Sequence, residues 1–282
     1  FFFKQKTAYE IYQCDWSSDV CSSDLYPSSI IASTANTSYA WMTPSITSST
    51  ARLRATVRDV AGNTATSASG ADFTINFSAP VLTLNAPVGG EYWQGADNKS
   101  ITYTATSPLF GLNPIKIEYS PNNGTNWYTL VAATSNTGTY PWFLPPGNAT
   151  TYKVRVTATD SAGLSTVATS ASFTIDSYRP IISALSVNGG ATIAGGNTLP
   201  ISITATDSAS GIDAYRFSTY ADFRDAVWQA SLPSTFTFPL VPGSTNTYSL
   251  YAQVRDKVGY ISNSFTSSNS VAITLEIGRA HV

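Results

Sequence analysis

Three aspartates each lie three residues before a glycine, at Asp59, Asp160 and Asp256. This spacing is typical of a tight turn, in which the carboxylate accepts hydrogen bonds from backbone N–H groups and the glycine takes a positive φ. Carboxylate oxygens are also ligands of calcium, so a calcium ion at a domain junction is the alternative. The turn explains the spacing without further ligands, and we therefore predict turns.

A second group of oxygen donors lies in one short segment, which begins at Asp207, ends at Asp213 and contains two serines. The segment has fewer carboxylates than the calcium loop of an EF-hand. We therefore assign no metal ligand and no cofactor to the chain. If calcium does bind, Asp207 and Asp213 are the candidates for its ligands.

Aromatic side chains that share an exposed face can stack on sugar rings. Trp142 takes the same place in a sequence repeat as Trp41 and Phe238, and we predict that it fills a core. Core or loop packing is the alternative for the other aromatic residues too. The candidate ligand contacts are the three aromatic residues whose place the sequence leaves open: Trp93, Tyr128 and Trp228.

Both ends of the chain resemble translated DNA from a short-read sequencing adapter. The stretch from Glu276 to Val282 reads as a translation of GAGATCGGAAGAGCACACGTC, and the N-terminal residues fit the matching index primer in the same way. We predict that residues 1–25 and 276–282 are adapter-derived and form no domain, and that residues 1–25 are poorly packed.

The segment between these ends lacks the residues of several common active sites. Cys14, Cys21 and His281 all lie in the ends, so a disulfide framework, a Cys/His zinc site and a nucleophile activated by histidine are excluded within residues 26–275. Five of the 17 acidic and three of the 15 basic residues also lie in the ends, which leaves twelve of each. These scattered acids do not supply the paired carboxylates of a glycosidase, and we predict that the chain is not an enzyme.

A pattern of short alternating strands returns along the chain with a period of about one hundred residues, the size of a β-sandwich domain. In its most regular copy Val154, Val156 and Ala158 share one face of a strand. The linkers between copies are short and end in proline, which restricts the backbone, so we expect an end-to-end array. The predicted domains are a truncated C-terminal half-repeat at 26–78 and complete sandwiches at 79–178 and 179–275.

Two motifs resemble known families. Leu144-Pro145-Pro146-Gly147, followed by Tyr152 and the alternating strand, resembles the E–F corner and F strand of fibronectin type III-like domains. That resemblance implies a corner tyrosine at Tyr152, and another at Tyr248, whose hydroxyl holds the preceding loop. Gly89-Gly90-Glu91-Tyr92-Trp93, with aromatic and Asn-Gly positions at 119–142, resembles the Ser/Thr-rich Knh-type Ig-like repeat of bacterial surface proteins. We therefore expect an all-β chain of tandem Ig-like or fibronectin III-like β-sandwiches.

The composition, poor in charge and rich in Ser, Thr, Asn and Gly, fits a bacterial protein that is secreted or held at the cell surface. We predict monomeric, non-catalytic modules of a larger protein, which act as a spacer or adhesive stalk with a surface glycan or protein as partner. The alternative is an ancillary carbohydrate-binding region of a secreted hydrolase. Balanced charge gives no electrostatic reason for nucleic-acid binding. The sequence contains no run of about 18 apolar residues, so we predict no membrane insertion.

Overall fold

The computed structural model describes residues 8–13, 28–34, 38–239 and 245–274, and its regular structure there is β-strand apart from one short 3-10 turn at Asn188–Gly190. The chain forms two compact units. One comprises Phe1–Val81, Thr106–Gly111 and Ala158–Thr166, and the other comprises Leu82–Ala105, Leu112–Thr157 and Val167–Val282. No described helix has the length and apolar character needed to cross a membrane.

The first strands of the chain form a four-stranded sheet in the order β2-β1-β4-β5 and a two-stranded sheet of β3 and β6. Of the hydrophobic residues between 38 and 78, Ala51 and Ile75 are the fully buried ones, so this part of the chain has a small core. The strands are β1 (Ala8–Gln13), β2 (Ser28–Thr34), β3 (Ser48–Ala51), β4 (Leu53–Arg58), β5 (Thr64–Ala68) and β6 (Phe73–Ile75).

Strand β1 lies within residues 1–25, the segment predicted to form no domain and to be poorly packed. Its backbone pairs with β4 in antiparallel register, from Ala8 opposite Arg58 to Gln13 opposite Leu53. An unpaired strand edge accepts any extended segment, since the pairing uses backbone groups and needs no selected sequence. The adapter origin of residues 1–25 stays a prediction, and residues 276–282 lie outside the described part of the chain.

The next nine strands form two sheets, with the orders β11-β10-β13-β15-β8, where β14 also pairs with β13, and β12-β9-β7. The predicted alternation is confirmed in β13, where Val154, Val156 and Ala158 are fully buried. The strands are β7 (Val81–Ala86), β8 (Tyr92–Gln94), β9 (Asn98–Thr106), β10 (Ile115–Ser120), β11 (Tyr128–Thr134), β12 (Thr139–Phe143), β13 (Asn148–Thr159), β14 (Ser165–Thr169) and β15 (Phe173–Asp176).

Trp142 lies in the core that these two sheets enclose, as the sequence predicts, and is 4% exposed. Its ring lies 5.3 Å from that of Tyr119, 6.4 Å from that of Trp93 and 6.5 Å from that of Phe173, measured between ring centroids. Trp93 also packs on Phe173, with ring centroids 4.9 Å apart. Large rings at these separations bury much apolar surface and anchor the sandwich.

The predicted corner tyrosine, Tyr152, is buried against the loop before it. A Cβ atom placed on Gly147 would lie 2.3 Å from the Tyr152 hydroxyl oxygen and 3.1 Å from Cζ. The loop therefore reaches the tyrosine because residue 147 has no side chain. Burial raises the pKa of the Tyr152 hydroxyl above its usual range, and the neighbouring Tyr119 adds to that effect.

Substitution of Gly147 by Ala is expected to displace the Tyr152 ring and destabilise this sandwich by about 1–3 kcal/mol, the usual cost of overpacking a filled site. Gly111→Ala is the matched control, because no atom lies within 4 Å of a Cβ at that position. Urea unfolding followed by tyrosine and tryptophan fluorescence measures both. Equal midpoints for the two variants would contradict the close packing of this corner.

The last nine strands form three three-stranded sheets, with the orders β16-β18-β20, β17-β24-β21 and β19-β22-β23. Their shared core includes Leu185, Phe238 and Val254. The strands are β16 (Ile181–Val187), β17 (Ile193–Ala194), β18 (Thr198–Thr206), β19 (Ile212–Ser218), β20 (Thr235–Thr237), β21 (Thr245–Tyr248), β22 (Tyr251–Asp256), β23 (Phe265–Thr266) and β24 (Val271–Thr274).

The corner predicted at Tyr248 is present in this segment, where the hydroxyl donates a hydrogen bond to the Pro239 carbonyl oxygen at 2.7 Å. Phe238 is 1% exposed, which places the aromatic residue that aligns with Trp142 in a core as well. The prediction of an all-β chain of tandem Ig-like or fibronectin III-like sandwiches is confirmed. Below, the strands β7–β15 are called the middle repeat and β16–β24 the last repeat.

Candidate metal centre

Three aspartates mark the ends of three strands. Asp176 is the last residue of β15, Asp207 directly follows β18, and Asp256 is the last residue of β22. Each carboxylate turns the chain after its strand by accepting backbone N–H bonds from residues further along. The donors are Tyr178 for Asp176, Ala209 and Gly211 for Asp207, and Val258 and Tyr260 for Asp256.

The fold brings these three carboxylates together. One oxygen of each lies within 4.8 Å of the others, and Asp176 and Asp256 are 0% and 1% exposed, while Asp207 is half-buried. Asp176 also accepts a hydrogen bond from the backbone N–H of Ser210, at 3.0 Å, which joins the end of β15 to the turn after β18. The cluster is therefore built by the last strand of the middle repeat and two turns of the last repeat.

Two oxygens of the cluster are left without a hydrogen-bond partner. They are Oδ1 of Asp207 and Oδ2 of Asp256, and both atoms are buried. The ion pairs found among the described residues involve other carboxylates. A buried carboxylate oxygen without a donor costs free energy, so this cluster holds more acceptors than the protein satisfies.

The crowding of negative charge affects the pKa of Asp256. Burial, together with the charges of Asp176 and Asp207, raises the pKa of its carboxyl group to about 6, although the backbone hydrogen bonds from Tyr260 and Gly259 lower it. Desolvation and nearby like charges both disfavour the ionised form. Among the described residues, no salt bridge involves any of these three carboxylates.

The junction between residues 26–78 and the middle repeat, called the preceding junction below, has the same three positions with different residues. Phe73-Thr74-Ile75-Asn76 aligns with residues 173–176, and Thr104-Ala105-Thr106-Ser107 aligns with residues 204–207. There the Asn76 Nδ2 donates a hydrogen bond to Oδ2 of Asp160 at 2.6 Å. One amide therefore satisfies the single carboxylate, and no excess charge remains.

The structure separates the candidate ligands that the sequence indicates. Asp207 belongs to the cluster, whereas Asp213 forms an ion pair with Arg255, with its Oδ2 2.6 Å from the guanidinium Nη2. The turns predicted at Asp59, Asp160 and Asp256 are confirmed, because each carboxylate accepts backbone N–H bonds and each following glycine has a positive φ.

Sequence reasoning missed Asp176 entirely, and at Asp256 it favoured a turn over the alternative of calcium at a domain junction. Each acid has a complete local explanation, since it caps the turn that follows its own strand. The available signal was the repeat itself. At the three aligned positions the preceding junction has Asn76, Ser107 and Asp160, while the next junction has aspartate at all three.

The candidate ligand-contact aromatics are not brought together. Trp93 packs in the core of the middle repeat, on β8, which is at the opposite edge of its sheet from β11, where Tyr128 lies. Tyr128 is 51% exposed and stacks on Tyr119. Trp228 belongs to the last repeat, where the guanidinium groups of Arg216 and Arg255 lie 4.6 Å and 5.1 Å from its ring centroid.

No family model matches the chain, and no curated protein matches it. Among solved structures it is similar to the fibronectin(III)-like modules of Clostridium thermocellum CbhA, with 16% identity, a TM-score of 0.36 and coverage of 72% of this chain and 98% of that chain. Domains FN1–FN3 of chicken CNTN1 give 16% identity, a TM-score of 0.40 and coverage of 95% and 90%. A structure of a 1.5-MDa bacterial ice-binding adhesin gives 16% identity and a TM-score of 0.37, with coverage of 98% of this chain and 88% of that chain. Resemblance this distant carries no argument about function.

Proposed function

We propose that the chain consists of non-catalytic Ig-like modules of a larger secreted or cell-surface protein, of bacterial origin, and that these modules act as a spacer or adhesive stalk. The observation that carries the proposal is the repetition of one strand plan, with a separate buried core in the middle repeat and in the last repeat. A module that contains its own core can be added to a chain without disturbing its neighbours.

Hydrogen bonds between polar side chains cross the junction between these two repeats, which suits a spacer. Asn148 Nδ2 donates to Ser208 Oγ at 2.6 Å, and Lys257 Nζ donates to the Tyr92 hydroxyl at 3.2 Å. Directional contacts of this kind favour one orientation and do not need the large apolar surface of an obligate interface. The linker between the repeats is residues 177–180 and ends in Pro180, which restricts the backbone further.

The alternative function, carbohydrate binding for a secreted hydrolase, is tested directly by a glycan array probed with the labelled chain. A spacer is expected to give no saturable glycan signal, because the candidate aromatics are divided between a core, a sheet edge and a cation-π stack. Saturable binding that Trp228→Ala abolishes would overturn the spacer proposal. Phe143→Ala is the control, since that ring is 63% exposed and was not among the candidates.

A further inference from the structure

We propose that Asp176, Asp207 and Asp256 bind one calcium ion at the junction of the middle and last repeats. This inference goes beyond the spacer function and does not depend on it. It stands on the position of the three carboxylates, on the two buried oxygens that have no partner, and on a comparison with the equivalent positions of the preceding junction.

The charge of the cluster is the first argument. Three carboxylates with oxygens within 4.8 Å of one another, two of them in buried side chains, repel strongly in a medium less polar than water. A protein removes such repulsion by protonation, by a basic side chain or by a bound cation. Among the described residues no lysine or arginine forms an ion pair with the cluster.

The unused oxygens are the second argument. Asp256 is 1% exposed, and its Oδ1 accepts the two backbone N–H bonds of its turn, while its buried Oδ2 accepts none. Asp207 divides its oxygens in the same way, with Oδ2 in the turn and Oδ1 without a partner. The turns need one oxygen of each residue, which leaves the other oxygen for a ligand.

The preceding junction supplies the third argument. There the turns form with Asn76, Ser107 and Asp160, so the strand ends do not require three acids. Asn76 balances Asp160 by donating its amide hydrogen, whereas Asp176 at the aligned position adds a second negative charge. The extra carboxylates therefore have a purpose other than capping, and a cation is the ligand that satisfies them.

The chemistry of the donors selects calcium. All three side chains offer oxygen only, which suits hard cations and excludes the nitrogen and sulfur preferred by zinc. Calcium takes six to eight oxygen ligands in a flexible arrangement, so water and backbone carbonyls complete the set around three carboxylates. Magnesium demands a smaller, near-octahedral site and loses its water reluctantly, so we expect it to bind more weakly.

Calcium at this place would hold the two repeats together. Asp176 belongs to the middle repeat and the two other ligands belong to the last repeat, so one ion would link both ends of the linker at 177–180. The ion would thereby restrict the orientation of one repeat relative to the next.

The test is isothermal titration calorimetry of the full chain with calcium chloride, after treatment with a chelator. We expect one calcium ion per wild-type chain and at least about tenfold weaker binding of magnesium. The double variant Asp176→Asn with Asp207→Ser copies Asn76 and Ser107 of the preceding junction and is expected to fold without binding calcium. Circular dichroism checks the fold of each protein.

A reciprocal variant keeps the proposal testable if the double variant fails to fold. Asn76→Asp with Ser107→Asp gives the preceding junction the three-acid pattern and is expected to raise the stoichiometry from one ion to two. No calcium heat from the wild-type chain, or equal heat from the Asp176→Asn and Asp207→Ser double variant, would overturn the site. Either result would leave the proposed spacer function untouched, because that function is tested separately by glycan binding and by X-ray scattering.

Discussion

Replacement of Val156 by Asp is expected to abolish the cooperative unfolding of the middle repeat and to leave the last repeat folded. Val156 is fully buried in β13, which lies between β10 and β15 in the middle of its sheet. Burial of a carboxyl group without a partner costs several kcal/mol, and a domain of this size has a total stability of only about 5–15 kcal/mol. The loss stays local because the last repeat has its own core.

Thr157→Asp is the control for this variant, since Thr157 is the next residue of the same strand and faces the other side of the sheet. Amide hydrogen exchange measures the two repeats separately. We expect protection to disappear across β7–β15 in the Val156 variant and to persist in both repeats of the Thr157 variant. An unchanged Val156 variant would mean that the register of β13 is wrong.

The second large effect is expected for Trp142→Ala, at about 3–5 kcal/mol of lost stability in the middle repeat, the usual cost of deleting a large buried aromatic ring. Trp142 is 4% exposed and packs with Trp93, Tyr119 and Phe173. The cavity left by the ring would be shared by these three rings, which are too large to close it by small shifts.

Urea unfolding gives the free energy for Trp142→Ala and for its control, Phe143→Ala. Phe143 is the neighbouring residue on β12 and is 63% exposed, so its loss is expected to change stability by less than about 1 kcal/mol. A Trp142 variant as stable as the Phe143 variant would show that the aromatic cluster does not anchor the sandwich.

The fold could be predicted from the sequence because its strands alternate clearly and its period is that of a sandwich. Val154 and Val156 face the core because the polar residues between them cannot, and a slip of one residue would bury Lys153 and Arg155. The pairing of Ala8–Gln13 with β4 could not be predicted in this way, because backbone pairing at a strand edge follows from an available partner and not from selected side chains.

The cluster of aspartates could not be read from local sequence, because its members come from three strands far apart in the chain. Asp207 was singled out because its neighbours also carry oxygens, and the same criterion included Asp213, which the structure pairs with Arg255 on a different strand. Asp176 stands without other acids nearby in sequence. Only the strand ends of the folded chain place it beside Asp207 and Asp256.

The central claim, that these repeats form a spacer, is tested most directly by small-angle X-ray scattering of the full chain. A compact globule of this length has a radius of gyration of about 19 Å. Sandwiches joined end to end through short proline-containing linkers are expected to give a value well above that, with a pair-distance distribution that has a long tail. A radius of gyration near about 19 Å would contradict the spacer, because it would mean that the repeats fold back on one another.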